Sequence, residues 1–252
     1  MNVFSYWEGP RPPHIDVCLE SIRSICGDDF ALVEPETVEA WIGGALHRNW
    51  KLLSQPALRA DAIRAALLAV NGGWWIDADT VMFRHPRVVN ETFSDPVLYM
   101  TWDRPPRRAL NGYIFMERGV EASRRWLARV NEALARDPER IDWTDIGERA
   151  ITEDLLKDPT AREIPRRLFL PIDIDSSVKT FFSTENPSRF TSSDTVAYGM
   201  NHSWFMYHKP NEMNLPRERW GESRLLIHRL LHGAVQCQEF RSAYRHSTNP
   251  IT

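Results

Sequence analysis

The chain has 252 residues and a mass of 29.3 kDa, is 42% hydrophobic and 26% charged, and so falls among ordinary globular proteins, outside the disordered, collagen-like and coiled-coil classes. A chain of this length buries enough surface to need neither disulfide nor metal for cohesion. Its net charge of −3 and pI near 6.3 provide no basic field for nucleic acid, and only four of its 31 basic residues are lysines, an arginine bias read as compositional rather than as phosphate recognition.

Val3 to Trp7 reads as a short buried strand stopped by Gly9-Pro10 and Pro12-Pro13. Ile15, Cys18, Leu19, Ile22, Ile25 and Cys26 recur at helical spacing and predict an amphipathic helix ending at Gly27. A strand over Phe30–Val33 and a short helix over Glu36–Ile42 follow. Pro56 to Val70 predicts a strong helix, ended by Asn71-Gly72-Gly73. Trp74 to Phe83 reads as one strand carrying two acids, closed by Pro86. Strands near Val97–Trp102 and Gly112–Met116, a helix over Glu121–Ala135, strands at Leu168–Ile172 and Val196–Met200, and a final helix over Glu222–Gln236 complete the pattern. Strand–helix alternation in the first third argues for an α/β sheet of nucleotide-binding topology, in a single domain with a less regular second half.

Cys18, Cys26 and Cys237 have no CxxC spacing, and an odd number fits no disulfide framework, so a reducing cytoplasm is expected. The first residues lack the basic region, apolar core and cleavage site of a secretory signal. The best membrane candidate, Ala57 to Val70, holds Arg59, Asp61 and Arg64 and is too short to span.

The chemistry concentrates in Arg59-Ala-Asp61-Ala-Ile-Arg64 and in Asn71-Gly-Gly-Trp-Trp-Ile-Asp77-Ala-Asp79-Thr80. Two carboxylates after an apolar run belong at the C-terminal mouth of a strand, where open α/β sheets bind ligands. Strand alternation would put Asp77 and Asp79 on one face, where both can converge on a hard divalent cation shared with substrate phosphates. Asp61 and Arg64, three apart on an otherwise apolar helix, make either a structural ion pair or a polar group projecting into the same cleft.

This constellation resembles the DxD glycosyltransferases of the GT-A fold, in particular glycosyltransferase family 32 and the bacterial capsular polysaccharide synthesis proteins, with the glucosylating clostridial toxins as distant relatives. They share an Asp and Arg three apart on a helix, a Gly-Gly turn and an apolar strand leading into DxD; Asp61 precedes Asp77 by sixteen residues, as in those toxins. The opening also fits, with an apolar strand ending in Trp, then Gly-x-x-x-Pro and a helix. The resemblance covers roughly residues 1–120 and implies a nucleotide-sugar-binding half there, a Rossmann-like sheet flanked by helices, with residues 121–252 forming the acceptor side and a closure over metal and diphosphate.

By resemblance, Trp7 or a neighbouring backbone group contacts the nucleotide base, Asp61 and Arg64 contact the donor sugar, Asp77 binds ribose or the metal, and Asp79 ligates the metal. In Asn201-His202-Ser203-Trp204, His202 is the expected third metal ligand, with Ser203 and Trp204 at the diphosphate, and Asn111 lines the sugar or acceptor pocket. The implied reaction is transfer of a hexose from a nucleotide sugar, UDP-linked by family preference, to a saccharide or lipid-linked glycan acceptor. It would use manganese or magnesium and retain anomeric configuration, in capsule or lipopolysaccharide-type synthesis. Where relatives show Gly-Pro near a Thr, this chain has Gly147-Glu148-Arg149-Ala150-Ile151-Thr152, which points to a different acceptor side.

Two other readings compete. Asp77-Ala-Asp79-Thr80-Val81 also satisfies the motif of haloacid-dehalogenase-type phosphatases, although no Lys followed by paired acids completes it; a non-catalytic sugar-nucleotide-binding module is the other. His228 and His232, four apart without the Glu of HExxH, read as a solvated face rather than a metal site. Leu225, Leu226, Ile227, Leu230, Leu231, Ala234 and Val235 read as core by default, with peripheral contact at the inner membrane face as the alternative.

Overall fold

The computed structural model describes residues 1–102 and 105–247, with side chains of the last helix described through residue 236. The strands are β1 (Val3–Tyr6), β2 (Phe30–Val33), β3 (Gly73–Ile76), β4 (Thr80–Met82), β5 (Val97–Thr101), β6 (Ala109–Met116), β7 (Ala161–Glu163) and β8 (Ala197–Gly199). The helices are α1 (Pro13–Cys26), α2 (Val38–Ile42), α3 (Pro56–Asn71), α4 (Arg87–Thr92), α5 (Glu121–Arg136), α6 (Glu148–Lys157), α7 (Ile174–Phe181), α8 (His202–His208), α9 (Pro210–Met213) and α10 (Leu226–Ser247). The chain divides into two compact units: residues 1–9, 29–77 and 86–166 form the first, and residues 10–28, 78–85 and 167–252 the second.

The first unit is a mixed α/β layer. Its six-stranded sheet runs β2-β1-β3-β6-β5-β7. β1 pairs parallel with β2 and β3, β5 pairs parallel with β7, and β6 runs antiparallel to both its neighbours. β1 therefore has its sequence successor on one side and β3 on the other, which makes the gap beyond the carboxyl ends of β1 and β3 the switch point where open α/β sheets take ligands.

α3 begins with Pro56 at its first position and buries Leu58 and the run from Ala62 to Leu68. An apolar surface on nearly every side suits a helix enclosed between the sheet and α5. α5 is the opposite case, amphipathic, with Trp126, Val130 and Leu134 buried at a spacing of four. Each such fully buried large side chain contributes about 1.5–3 kcal/mol.

The turn from α3 into β3 depends on two glycines. Gly72 and Gly73 hold φ of +65° and +115°, and a Cβ on either would lie 2.4 Å from backbone, at Arg118 N and Asn2 O respectively. No other residue fits both the conformation and the space.

In the second unit β4 and β8 form an antiparallel pair against which α1 packs. Ser21 of α1 accepts the Met82 N–H at 2.9 Å and donates to the Cys18 carbonyl, tying helix to strand. Leu226, Ile227, Leu230, Leu231, Ala234 and Val235 of α10 are buried in this unit's core, so they are core side chains and not a lipid-facing surface. His228 is buried as well, which corrects its reading as part of a solvated face: Ser223 Oγ lies 2.7 Å from Nδ1 and the Glu212 carbonyl 2.8 Å from Nε2.

Two expected strands are revised. Residues 74–83 do not form one strand: β3 stops at Ile76, Asp77–Asp79 form a turn, and β4 belongs to the other sheet. Leu168–Ile172 is not a strand, although the Leu168 and Phe169 carbonyls accept from Val196 and Gly199. Pro171 lies within it and removes one of its amide donors for a ladder. The strand beside it in sequence, β7, joins the main sheet instead. Among the described residues no helix is long and apolar enough to cross a membrane. Cys18 and Cys26 are buried and in no disulfide, and the Cys237 side chain lies outside the described residues.

Candidate functional site

In the first unit the predicted residues Asp61, Arg64, Asp77 and Asn111 come together. Arg64, 5% exposed, donates through one terminal nitrogen to Asp61 Oδ1 at 2.7 Å and through the other to Asp77 Oδ1 at 2.8 Å. Its guanidinium lies over the Trp75 ring at 4.5 Å, a cation–π contact that fixes the plane of the fork. The Trp75 indole N–H donates to Asp77 Oδ1 at 2.7 Å, and Asn111 donates to Asp61 Oδ1 at 2.8 Å. Asp77 directly follows β3, and its N–H is held by the Gly112 carbonyl at 3.0 Å. The network therefore sits at the carboxyl end of β3, beside the switch point.

Two glycines floor this network. A Cβ at Gly112 of β6 would lie 2.3 Å from Asp77 Oδ2, and one at Gly147, just before α6, would lie 2.4 Å from Asp61 Oδ2 and 2.6 Å from Asn111 Nδ2. Each carboxylate has one oxygen committed to Arg64 and the other lying against a glycine. Burial pushes the Asp61 carboxyl up to about 7, against the pull of Arg64, with Asp77 adding to the rise, Asn111 opposing it and Glu148 adding further. Glu148 in turn accepts the Trp102 indole N–H at 2.7 Å.

At the carboxyl end of β1, the Trp7 N–H continues the ladder to the Val33 carbonyl at 3.2 Å, and its ring is half-buried. Beside it, Tyr6 donates to Glu8 Oε2 at 3.0 Å while Arg59 of α3 clamps the Glu8 carboxylate at 2.8 and 2.9 Å.

In the second unit Asp79 and His202 meet. Asp79 Oδ2 accepts the His202 backbone N–H at 2.6 Å, and the Asp79 carbonyl accepts from Met200 at 2.9 Å. Asn201 holds the left-handed conformation, φ +48°, that turns the chain from β8 into α8. The His202 ring meets His14 of α1, with His14 Nε2 at 2.8 Å from His202 Nδ1. Burial holds both imidazoles below their usual range; His14, lowered further by His202, reaches about 4. Ser203 and Trp204 are exposed on α8, where Trp204 packs beside His208 with ring centroids 4.2 Å apart.

Asp77 and Asp79 thus fall on a turn, in different units, so strand alternation is not what orients them. Among the described residues no group of three or more His, Cys, Asp or Glu is arranged to hold a metal ion. The Asp79 carboxylate, which meets His202 at the backbone N–H, and the His202 ring supply one oxygen and one nitrogen donor type. Such a set fits a magnesium- or manganese-type cation that takes its remaining ligands from phosphate and water.

Trp75 was detectable in principle, since residues 75 and 77 stand two apart across the end of β3 and share a face. His14 carried no sequence signal, and Gly147 stood out only as a departure on the acceptor side; Gly147 reaches Asp61 from 86 positions away and His14 reaches His202 from 188.

No protein-family model matches this sequence, and no curated protein does. Among solved structures, a chain described as PaToxG Glycosyltransferase is similar with a TM-score of 0.44 and 12% identity, over 63% of this chain and 69% of that one.

Proposed function

We propose that this chain is a glycosyltransferase that takes a hexose from a nucleoside-diphosphate sugar, UDP-linked by preference, and passes it to a saccharide acceptor with retention of configuration. The observation that carries the reading is the Asp61–Arg64–Asp77–Asn111 network at the carboxyl end of β3. Saccharides and ribose are recognised by fixed, planar hydrogen-bonding groups. Here two carboxylates and an amide are locked by one arginine stacked on an indole, so little side-chain freedom remains to be lost on binding. Asp61 Oδ2 and Asp77 Oδ2, the oxygens not held by Arg64, are the natural acceptors for sugar and ribose hydroxyls.

In transfer, negative charge grows on the departing diphosphate as the anomeric bond breaks. Asp79 and His202 would hold a divalent cation, whose contribution when bound is positive charge at that phosphate. The protein's own part is to orient the sugar through Asp61 and Asn111 and to keep Arg64 from swinging away. The pattern of acceptor groups also suits a front-face displacement, since Asp61 and Asp77 are both committed to Arg64 and Glu148 to the Trp102 indole.

The test is thermal denaturation of the purified chain with UDP and with GDP, each with manganese and with EDTA. A ligand at 100 times its dissociation constant adds about 2.7 kcal/mol of stability. The expected result is a manganese-dependent rise with UDP, lost in Asp79→Ala, followed by release of UDP from one of a panel of UDP-hexoses. No rise with either nucleotide, together with hydrolysis of a phosphomonoester, overturns the reading in favour of a phosphatase.

A further inference from the structure

Glu148 borders the Asp61–Arg64–Asp77–Asn111 network of the first unit without belonging to it. Gly147, just before it, lies so close to Asp61 Oδ2 and Asn111 Nδ2 that a Cβ there would stand 2.4 and 2.6 Å from them. The stretch expected to shape the acceptor side therefore begins against Asp61. Glu148 opens α6, and its place is fixed from two strands. Thr152, one turn further on, accepts the Ala109 N–H of β6 at 3.0 Å and donates to the Glu148 carbonyl at 2.5 Å, which ties the first turn of α6 to the strand that carries Asn111. Trp102, directly after β5, donates its indole N–H to Glu148 Oε1 at 2.7 Å, and its own backbone N–H is held by the Arg108 carbonyl at 3.0 Å.

A carboxylate accepts through two oxygens and donates through neither. Oε1 of Glu148 is engaged, whereas Oε2 makes no hydrogen bond or ion pair among the described residues, and the side chain is half-buried. Charge points the same way. The network holds two carboxylates on the one guanidinium of Arg64, and Glu148 adds a third negative group that is felt at Asp61. Hydroxyls entering this space find acceptors; a carboxylate would meet its own sign and has no proton to offer.

We propose that Glu148 is a specificity-determining residue for the transferred sugar: its Oε2 accepts a hydroxyl of the hexose, so that the chain takes a neutral hexose and rejects the corresponding uronate. This rests on the transferase reading proposed above, in which Asp61 and Asn111 orient the same sugar. Groups built to bond a hydroxyl discriminate against a substituent that cannot donate, because they are then left unpaired. Like charges brought together add a penalty against the wrong substrate that no gain in shape offsets.

The experiment is titration calorimetry of the whole chain at pH 8 with manganese present, using UDP, UDP-glucose, UDP-galactose, UDP-glucuronate and UDP-galacturonate. Wild type is compared with Glu148→Gln and Glu148→Ala. Wild type should bind the better hexose at least about 10-fold more tightly than its uronate. Glutamine keeps an oxygen for the Trp102 indole but presents an amide N–H in place of Oε2. Glu148→Gln should therefore weaken the hexose about 10-fold and strengthen the uronate, bringing the ratio to unity or below, while affinity for UDP, which has no sugar, is unchanged. A merely structural loss would weaken hexose and uronate together and leave their ratio where it was. Hexose affinity no greater than uronate affinity in wild type, or a ratio unmoved by Glu148→Gln, overturns the inference and leaves the transferase reading standing. Failure of UDP and all four sugar nucleotides to bind overturns the transferase reading and this inference with it. If Glu148→Gln does not fold, the wild-type ratio and Glu148→Ala, which should also narrow it, decide the matter.

Discussion

Replacing Asp61 by asparagine separates what this side chain does for binding from what it costs the fold. The Asp61 side chain is 14% exposed, and its carboxyl is pushed up to about 7 from an ordinary 3.8, chiefly by burial. Between those two values the folded chain keeps a proton that the unfolded chain has released. Stability contributed by this group is therefore complete below about pH 4, falls as pH rises toward 7 and is level above it. At 1.36 kcal/mol per pH unit the whole fall is about 4 kcal/mol. Asparagine has no proton to lose, yet its amide oxygen still accepts from Arg64 and Asn111. The variant and wild type should thus differ by only about 1 kcal/mol near pH 4.5 and diverge as pH rises, with Asp61→Asn the more stable at pH 8 by up to about 4 kcal/mol, or roughly 8–16 °C in Tm. Calorimetric melts at half-unit steps from pH 4.5 to 8.5 measure this directly. Taking the difference between the two proteins cancels the exposed carboxylates of Glu121, Glu153 and Asp194, whose lowered values act at more acid pH in both. A difference in Tm that stays constant across the range refutes the reasoning. The same variant should lose sugar-donor turnover, the signature of a side chain kept at a cost in stability.

Arg64→Lys should lower kcat/KM about 100-fold and abolish the UDP-dependent rise in Tm, because a single ammonium cannot span Asp61 and Asp77 at once or stack on Trp75; titration calorimetry with UDP reads the loss. Gly147→Ala and Gly112→Ala should each displace a site carboxylate, at about 1–3 kcal/mol, and cut activity while circular dichroism stays native, since neither position needs a positive φ. Gly72→Ala should behave differently, losing at least about 2 kcal/mol in urea unfolding, because its Cβ meets fixed backbone and its φ is +65°.

Local order was legible wherever it depended on neighbours in sequence. The limits of α1, α3 and α5 follow from prolines, glycines and helical spacing, and Val3, Phe4 and Tyr6 in one segment and Trp74, Trp75 and Ile76 in the other mark strands too apolar to lie at a surface. The pairing of Asp61 with Arg64 is likewise a matter of three positions on one helix. What the pattern could not show is where a strand stops being a strand. Residues 74–76 and 80–83 are both β-type in composition, and that the chain divides at Asp77–Asp79 between two sheets appears only because Asp77 is bonded to Gly112 while Asp79 is bonded to Met200 and His202. The short helices α6 to α9 lack the length over which periodicity becomes visible.

The α/β character of the first unit, the helix that carries Asp61 and Arg64, and the acids that end β3 can all be read from the amino-acid order. Those are consequences of local propensity and spacing. The desolvation of Asp61, the bridge from Arg64 to Asp77 over Trp75, and the approach of Gly112, Gly147 and His14 to the candidate residues come from the folded arrangement. Each of these depends on a contact between segments distant in the chain, and the environment that sets a carboxyl's proton affinity is made of such contacts, not of the residue's own neighbours.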